Sequence, residues 1–367
     1  MRFSEYFGAW IRAYYANVPL GRDFYTAVGA SRFFGGAIAK YILGRLESSE
    51  LALPLNIIDL GANNANLLQD IRAFLGTLGV GVVENCDFIA VESNSMDCHD
   101  SARCAESHND EVIFYKNLAE LKSANILQNR HNIFIANEFF DALPCEIIDN
   151  DKMAFVENNR LIFKICNDKK VLEICKKFAI TKGEIPLIYD EFCENIKGEK
   201  FIFIAFDYGD FAPRNDFSLR LFYKHKIQNF MEIALDSTKF AESQNLGNFS
   251  QNLAQKSQNP LDSAPNLQIQ SQNLTNLFGK CDITYSVPFF VLDRAFERIG
   301  ATKILSKRQD LALIEDFKIL ELLQDFHDSL DSTTNRNIYL HESNKIKTLL
   351  YDLSPRFHAV IYTNLQE

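Results

Sequence analysis

From residue 55 onward, short apolar runs alternate with amphipathic ones, and this alternation constrains the fold more than any other feature. LNIIDL (55–60) precedes NLLQDIRAFL, in which Leu67, Leu68, Ile71, Phe74 and Leu75 recur at helical spacing. CDFIAVE (86–92), EVIFY (111–115) and HNIFIAN (131–137) repeat the apolar motif, with helices expected near 95–106 and 117–127. Strands alternating with helices predict a parallel sheet wound by right-handed crossovers. The expected class is α/β with a Rossmann-like sheet.

The flanks depart from this rhythm. Helical patterns at 3–15 and 30–46 define an N-terminal helical segment, 1–50. The core is expected at 51–144 and 198–225, where EKFIFIAFDYG resumes the strand pattern and SLRLFYKHKI reads as a further strand. Between them, 145–197 reads as an accessory α+β insertion. It holds three short strands separated by NDK and ENN turns, then helical material over 168–197. Residues 240–277 repeat Ser-Gln-Asn at 243, 250, 257 and 271 and carry few aromatics, so a flexible insertion is expected. The remainder, 278–367, completes the core and the accessory region. It has a strand at CDITYSVPF, a helix at 288–299, a helical tail to about 351 and a closing strand, HAVIYTN.

The chain has 367 residues, 47% of them hydrophobic, enough for a large core. Its net charge of −10 comes without a basic tract, which argues against a nucleic-acid partner. None of the eight cysteines form a CxxC pair, so no metal site is expected, and a reducing cytoplasm is. No cleavable signal pattern opens the chain, and no apolar run reaches the ~18 residues of a membrane span. The oligomeric state stays open, a homo-oligomer included.

Ligands of open α/β sheets sit at the carboxyl ends of the strands. Three such ends are polar here: Asp59–Gly61, Glu92 and Asn137–Glu138. A carboxylate at the end of the second strand can accept two hydrogen bonds from a ribose diol, which suits Glu92. The first turn keeps only Gly61, followed by Ala62, Asn63 and Asn64. A pyrophosphate needs several glycines for close backbone approach, whereas S-adenosylmethionine carries no phosphate. Asn tolerates positive φ, so Asn63 or Asn64 can take a glycine's place. The alternative is an ordinary strand-to-helix turn. In ANEFFDALP (136–144), Glu138 and Asp141 flank Phe139 and Phe140, and carboxylates beside rings suit a guanidinium. The competing reading makes the acids helix caps and the rings core.

On these blocks the chain resembles the MidA family of S-adenosylmethionine-dependent methyltransferases, which includes a mitochondrial complex I assembly factor that methylates an arginine. The matching pieces are PLGRDFYTAVGASRFFGGAIA, IIDLGANNANLLQDI, AVES, ANEFFDALP, DYG, LRLFYKH, CDITYSVPF and Gln309. The resemblance implies S-adenosyl-L-methionine as cofactor and a protein presenting an arginine, such as a complex I subunit, as partner. It implies cofactor contacts from Phe24, Thr26, Asp59, Gly61, Ala62, Asn63, Asn64, Glu92, Ser93 and Asn137, with GRDFYT closing as a lid. Glu138 and Asp141 would be catalytic, and Phe139, Phe140, Asp207 and His225 would meet the substrate. The family's first loop is usually glycine-rich and its N-terminal segment carries a PEIS-like stretch; here Asn and Ala replace the glycines and AVGAS stands in the segment. A catalytically weak or inactive assembly scaffold on the same fold is therefore the alternative expectation, and a small-molecule methyltransferase a third.

Overall fold

The computed structural model describes residues 1–17, 27–92, 112–223, 226–235, 274–329 and 336–365. The helix expected at 95–106, most of the Ser/Gln/Asn segment, and the candidate residues Phe24, Thr26, Ser93 and His225 lie outside the described residues.

Three helices come first: α1 (Phe3–Asn17), α2 (Ala27–Ala30) and α3 (Phe33–Glu47). The alternating stretch then folds as β1 (Leu55–Leu60), α4 (Asn66–Leu78), β2 (Cys86–Val91), β3 (Ile113–Tyr115), α5 (Leu118–Ser123) and β4 (His131–Asn137). An accessory unit follows, with β5 (Glu146–Asp149), β6 (Lys152–Glu157), β7 (Arg160–Ile165), α6 (Lys169–Phe178), β8 (Lys182–Ile185) and α7 (Ile188–Ile196). The chain returns to the main sheet in β9 (Lys200–Asp207) and leaves it through β10 (Gly209–Asp210), β11 (Arg220–Tyr223), β12 (Lys226–Asn229) and α8 (Phe230–Leu235). The last part comprises α9 (Leu274–Leu277), β13 (Asp282–Thr284), β14 (Val287–Pro288), α10 (Phe289–Arg298), β15 (Thr302–Arg308), α11 (Gln309–Glu315), α12 (Ile319–Asp328), α13 (Arg336–Lys347) and β16 (His358–Thr363).

The main sheet has the order β15-β16-β9-β4-β1-β2-β3. Strands β3, β2, β1, β4 and β9 are parallel, and β16 runs antiparallel between β9 and β15. The chain winds outward from β1 to β3 and then crosses to the other side of β1 to form β4. That reversal opens a crevice at the carboxyl ends of β1 and β4. Alternation within each strand builds two cores. Ile57, Ile133, Ile135, Ile202 and Ile204 pack with α3, α4, α11 and α12 on one face. Ile58, Phe134, Phe201 and Phe203 pack with α5, α7 and α10 on the other.

The third core belongs to the accessory region. Phe3, Phe7 and Trp10 of α1 pack against Ile147, Ala154, Leu221, Phe230 and Ile283. The Trp10 indole N–H donates to the Cys281 carbonyl at 2.7 Å, fixing α1 beside β13. The three strands expected after 145 form, and Asn158 and Asn159 take positive φ in the tight turn between β6 and β7.

Two elements depart from expectation. Within 168–197, taken as helical, β8 separates α6 from α7 and pairs antiparallel with β5. Its KGEI sequence carries no strand signal, and a partner more than thirty residues upstream supplies the structure. In the tail, β15 replaces expected helix and pairs with β16, the final strand. Lys303, Lys307 and Arg308 charge this edge strand and hide its pattern.

Candidate cofactor and substrate site

β1 ends in Gly61, whose N–H donates to the Val91 carbonyl at 2.9 Å. Gly61 has φ +71°, and a Cβ there would stand 3.1 Å from Phe139 Cδ2, so the turn has both the conformation and the crowding that call for glycine. Asn63 (φ 49°) and Ala65 (φ 59°) take the left-handed conformations that glycines would otherwise supply. Asn63 fulfils the expectation; Ala65 does so without the side-chain advantage of Asn. Gly61, Asn63 and Asn64 are exposed while Ala62 is buried, and Ala65 gives α4 no side-chain cap. The turn is therefore an open cradle of backbone groups at a helix N-terminus.

Glu92 closes β2. Its N–H donates to the Tyr115 carbonyl at 2.9 Å, and its carboxylate accepts the Asn63 N–H at 3.1 Å. Asp59, on β1, is 4% exposed, and burial followed by the neighbouring Glu92 pushes its carboxyl up to about 8.

β4 delivers the acidic turn. Asn137 continues the face that carries Ile133 and Ile135. Its amide donates to Glu138 Oε1 at 3.4 Å, while its buried Oδ1 has no hydrogen-bond partner among the described residues. A buried acceptor left unpaired costs roughly 1–3 kcal/mol, so Asn137 suits a ligand that brings a donor. Glu138 sits at φ 52°, a strained conformation for a residue other than Gly, Asn or Asp. Its Oε1 accepts the Ala27 N–H at 3.2 Å, at the start of α2. Glu138 is half-buried. Burial, then Asp141, pushes its carboxyl up to about 8, against the opposing bonds from Ala27 and Asn137.

Asp207, at the end of β9, organises this turn. Its Oδ2 accepts the N–H groups of Phe139 (3.2 Å), Phe140 (2.9 Å) and Asp141 (3.4 Å), and its Oδ1 that of Tyr208 (2.9 Å). Burial, then Asp141, raises its carboxyl well above the usual range. Two expected substrate contacts thus turn inward. Asp207 is fully buried with both oxygens committed to backbone, and Phe140 is fully buried against Tyr189, Phe192 and Phe203. Phe139 is the partly exposed ring and lies beside Gly61.

Asp141 is 5% exposed. Burial lifts its carboxyl to about 6, opposed by Tyr208 and the Arg220 charge. Its carbonyl accepts the Tyr285 N–H at 3.1 Å, the Tyr208 hydroxyl bonds Thr284, and the Arg220 guanidinium lies 5.0 Å from the Tyr208 ring centroid. Neither Arg220 nor Tyr15 was legible as a site residue. Tyr15, in the last turn of α1, lies within electrostatic reach of Asp282, Asp141 and Glu92, and burial raises its phenol. Only the docking of α1 beside β13 brings it there.

The arrangement fits a cofactor without phosphates: an open turn with one obligatory glycine, a carboxylate at the end of β2 and an orphan acceptor at the end of β4. Among the described residues no three metal-ligating side chains come together, and no helix is long and apolar enough to cross a membrane.

Comparison with known proteins points to the same class of cofactor. No curated protein matches the chain significantly. A COG1565 superfamily member from Burkholderia thailandensis, solved bound to S-adenosyl-homocysteine, superposes with a TM-score of 0.67 at 14% identity, over 100% of this chain and 89% of that one. A native structure of a COG1565 superfamily protein from the same organism gives 0.62 at 14%, over 100% and 88%. At that identity the likeness establishes the fold, an α/β methyltransferase sheet. A family model described as "Putative S-adenosyl-L-methionine-dependent methyltransferase" matches residues 37–234, more than half of the chain. The chain belongs to this family of S-adenosyl-L-methionine-dependent methyltransferases.

Proposed function

We propose that the chain methylates an arginine on a protein substrate, a respiratory complex I subunit being the partner implied by the MidA resemblance. S-adenosylmethionine supplies an electrophilic methyl group on a sulfonium. Gly61, Ala62, Asn63 and Asn64 hold its amino-acid part, with the Asn137 amide oxygen accepting from its ammonium. Glu92 accepts from the ribose hydroxyls, and Asp59 backs the turn from below. Phe24, Thr26 and Ser93 belong to the same proposed set by resemblance alone, as does His225 on the substrate side.

One observation carries the arginine reading. Glu138, half-buried, and Asp141, buried, are two carboxyls on one turn that is strained at Glu138, and the ring of the neighbouring Phe139 lies against Gly61 of the cofactor turn. A guanidinium entering there exchanges water for carboxylate oxygens and a ring face. Its charge favours the ionised form of Glu138, which then orients the nucleophilic nitrogen and takes up the proton lost on methylation. Fixed geometry does the rest, since the reaction needs the sulfur, carbon and nitrogen in line.

The left-handed conformations at Asn63 and Ala65 favour a working turn over the inactive scaffold, because they preserve the backbone path that glycines would give. The test is label transfer from radioactive S-adenosylmethionine to peptide pools differing only by Arg-to-Lys replacement. Label confined to the arginine pool supports the assignment. Equal label in both pools contradicts it, and no label with either returns the scaffold reading.

A further inference from the structure

Residues 160–177 carry six Lys and Arg against two Asp and Glu, a local charge of +4 in a chain of net charge −10. They form no continuous tract in sequence; the fold gathers them. β7 is an edge strand of the accessory sheet, whose order is β7-β6-β5-β8. Its register sets Arg160 opposite Glu157, Ile162 opposite Phe155 and Lys164 opposite Met153, so these side chains share one face of the sheet. α6 covers that face, its buried Val171 and Ile174 joining the same core as Met153. Arg160 and Lys164 therefore flank the side of the sheet on which α6 lies.

α6 turns its other side to solvent. Lys169, Lys170, Lys176 and Lys177 are exposed, and Leu172 stands 42% exposed among them. With Val171 and Ile174 facing the core, helical spacing puts Lys169 and Lys176 on the opposite side, with Leu172 on the turn between them. The acids nearby are engaged. Asp168 caps α6 by accepting the N–H groups of Lys170 (2.9 Å) and Val171 (3.2 Å), and it pairs with Arg2 at 2.8 Å. Glu173 lies 4.0 Å from the Arg294 guanidinium, and Glu157 pairs with Lys164. Among the described residues, Arg160 and the four lysines of α6 have no ion-pair partner.

Two structural explanations cover part of this face. Cations on an edge strand block edge-to-edge pairing, which accounts for Arg160 and Lys164. Lys176 and Lys177 suit the negative end of the α6 dipole. Neither explanation reaches Lys169 and Lys170, which sit in the first turn against the dipole, or Leu172, left exposed between charges.

We propose that the outward face of α6, with the adjoining edge of β7, docks on an anionic lipid surface. Lysine binds as a point charge without the directional demands of a guanidinium fork. That suits a fluid layer of phosphate and carboxylate headgroups better than a fixed protein epitope, where Trp, Tyr and Arg anchors are expected. Leu172 enters the headgroup boundary while the lysines stay at its surface. The rest of the chain carries net charge −14, so repulsion turns it away from the lipid and one orientation is selected. The proposal is independent of the methyl acceptor.

The test is flotation of the full chain with phosphatidylcholine vesicles containing about 30% phosphatidylserine, against vesicles of phosphatidylcholine alone. Binding is expected to the anionic vesicles at about 50 mM salt and to be lost at about 500 mM. Lys169→Gln with Lys176→Gln should weaken it about 20-fold. The exposed pair Lys318→Gln with Lys347→Gln, which removes the same charge elsewhere, should stay within about twofold. Both pairs lie on the surface, and far-ultraviolet circular dichroism checks that they fold. No binding to the anionic vesicles, or equal binding to the neutral ones, overturns the proposal and leaves the cations to an acidic protein or to solvent. An unmoved affinity in the α6 pair, or an equal loss in the control pair, overturns it as well.

Discussion

The Asn63 backbone donates to the Glu92 carboxylate at 3.1 Å, tying the turn after β1 to the end of β2. These are two of the strand ends at the proposed cofactor site, so one hydrogen bond sets the distance between the proposed amino-acid cradle and the proposed ribose acceptor. It also shows how an Asn-rich turn keeps a backbone path that glycines would otherwise supply, with a neighbouring carboxylate holding it.

Gly61 is the position where no substitute is expected to serve. Gly61→Ala forces a Cβ toward Phe139 at a φ of +71°. A stability loss of about 1 kcal/mol is expected, with weaker S-adenosylhomocysteine binding as Phe139 shifts. Urea denaturation and calorimetry measure the two effects; a neutral result in both would contradict the reading of the turn.

Asp207 should behave as the keystone of the acidic turn. Asp207→Ala leaves four backbone N–H groups without their acceptor. At roughly 1–3 kcal/mol for each unpaired buried group, a loss of about 3 kcal/mol or more is expected. Asp207→Asn keeps an acceptor oxygen and should cost less. If Asp207→Ala denatured like wild type, the residue would be free for substrate after all.

Glu138→Gln preserves an acceptor for the Ala27 N–H and removes only the ionisable group. The variant should be at least as stable as wild type at neutral pH, while kcat on an arginine peptide falls by about 100-fold. Full turnover would remove the proposed role of the carboxylate.

The buried carboxyls also fix the sign of the pH dependence. Asp59 and Glu138 are each raised from the ordinary carboxylate range to about 8, so between about pH 4 and 8 the folded chain binds more protons than the unfolded one. Their contribution to stability is complete below the unfolded values and is lost as pH rises through 8. Asp141 adds a smaller loss ending near 6. Urea midpoints should therefore fall from about pH 5.5 to about pH 8.5, and Glu138→Gln should flatten the slope. A rising midpoint would mean that these groups are ionised and paired in the folded chain.

Much of the fold was legible because β1, β2, β4 and β9 are locally apolar and bounded by helices with clear periodicity. Strands β8 and β15 were not. KGEI and TKILSKR have little strand character of their own and are extended because β5 and β16 pair with them. The site divides in the same way. Gly61, Glu92, Glu138 and Asp141 sit at strand ends within single motifs, which a reading along the chain can find. Arg220 and Tyr15 reach the turn from elements far away in sequence, and their side chains gain meaning only when β11 and α1 dock. Asp207 and Phe140 show the opposite failure: motif position suggested substrate contact, whereas burial and backbone hydrogen bonds turn them into the turn's support.

Titration of the purified protein with S-adenosylhomocysteine, wild type against Glu92→Ala, tests the central claim most directly. Saturable one-site binding is expected in the wild type. In the variant, loss of the ribose acceptor and of the Asn63 tether should weaken it by about 10- to 100-fold, matching the 1–3 kcal/mol of hydrogen bonds to a charged group. Absence of binding in the folded wild-type protein, or equal affinity in the variant, would contradict the placement of the cofactor at the ends of β1 and β2.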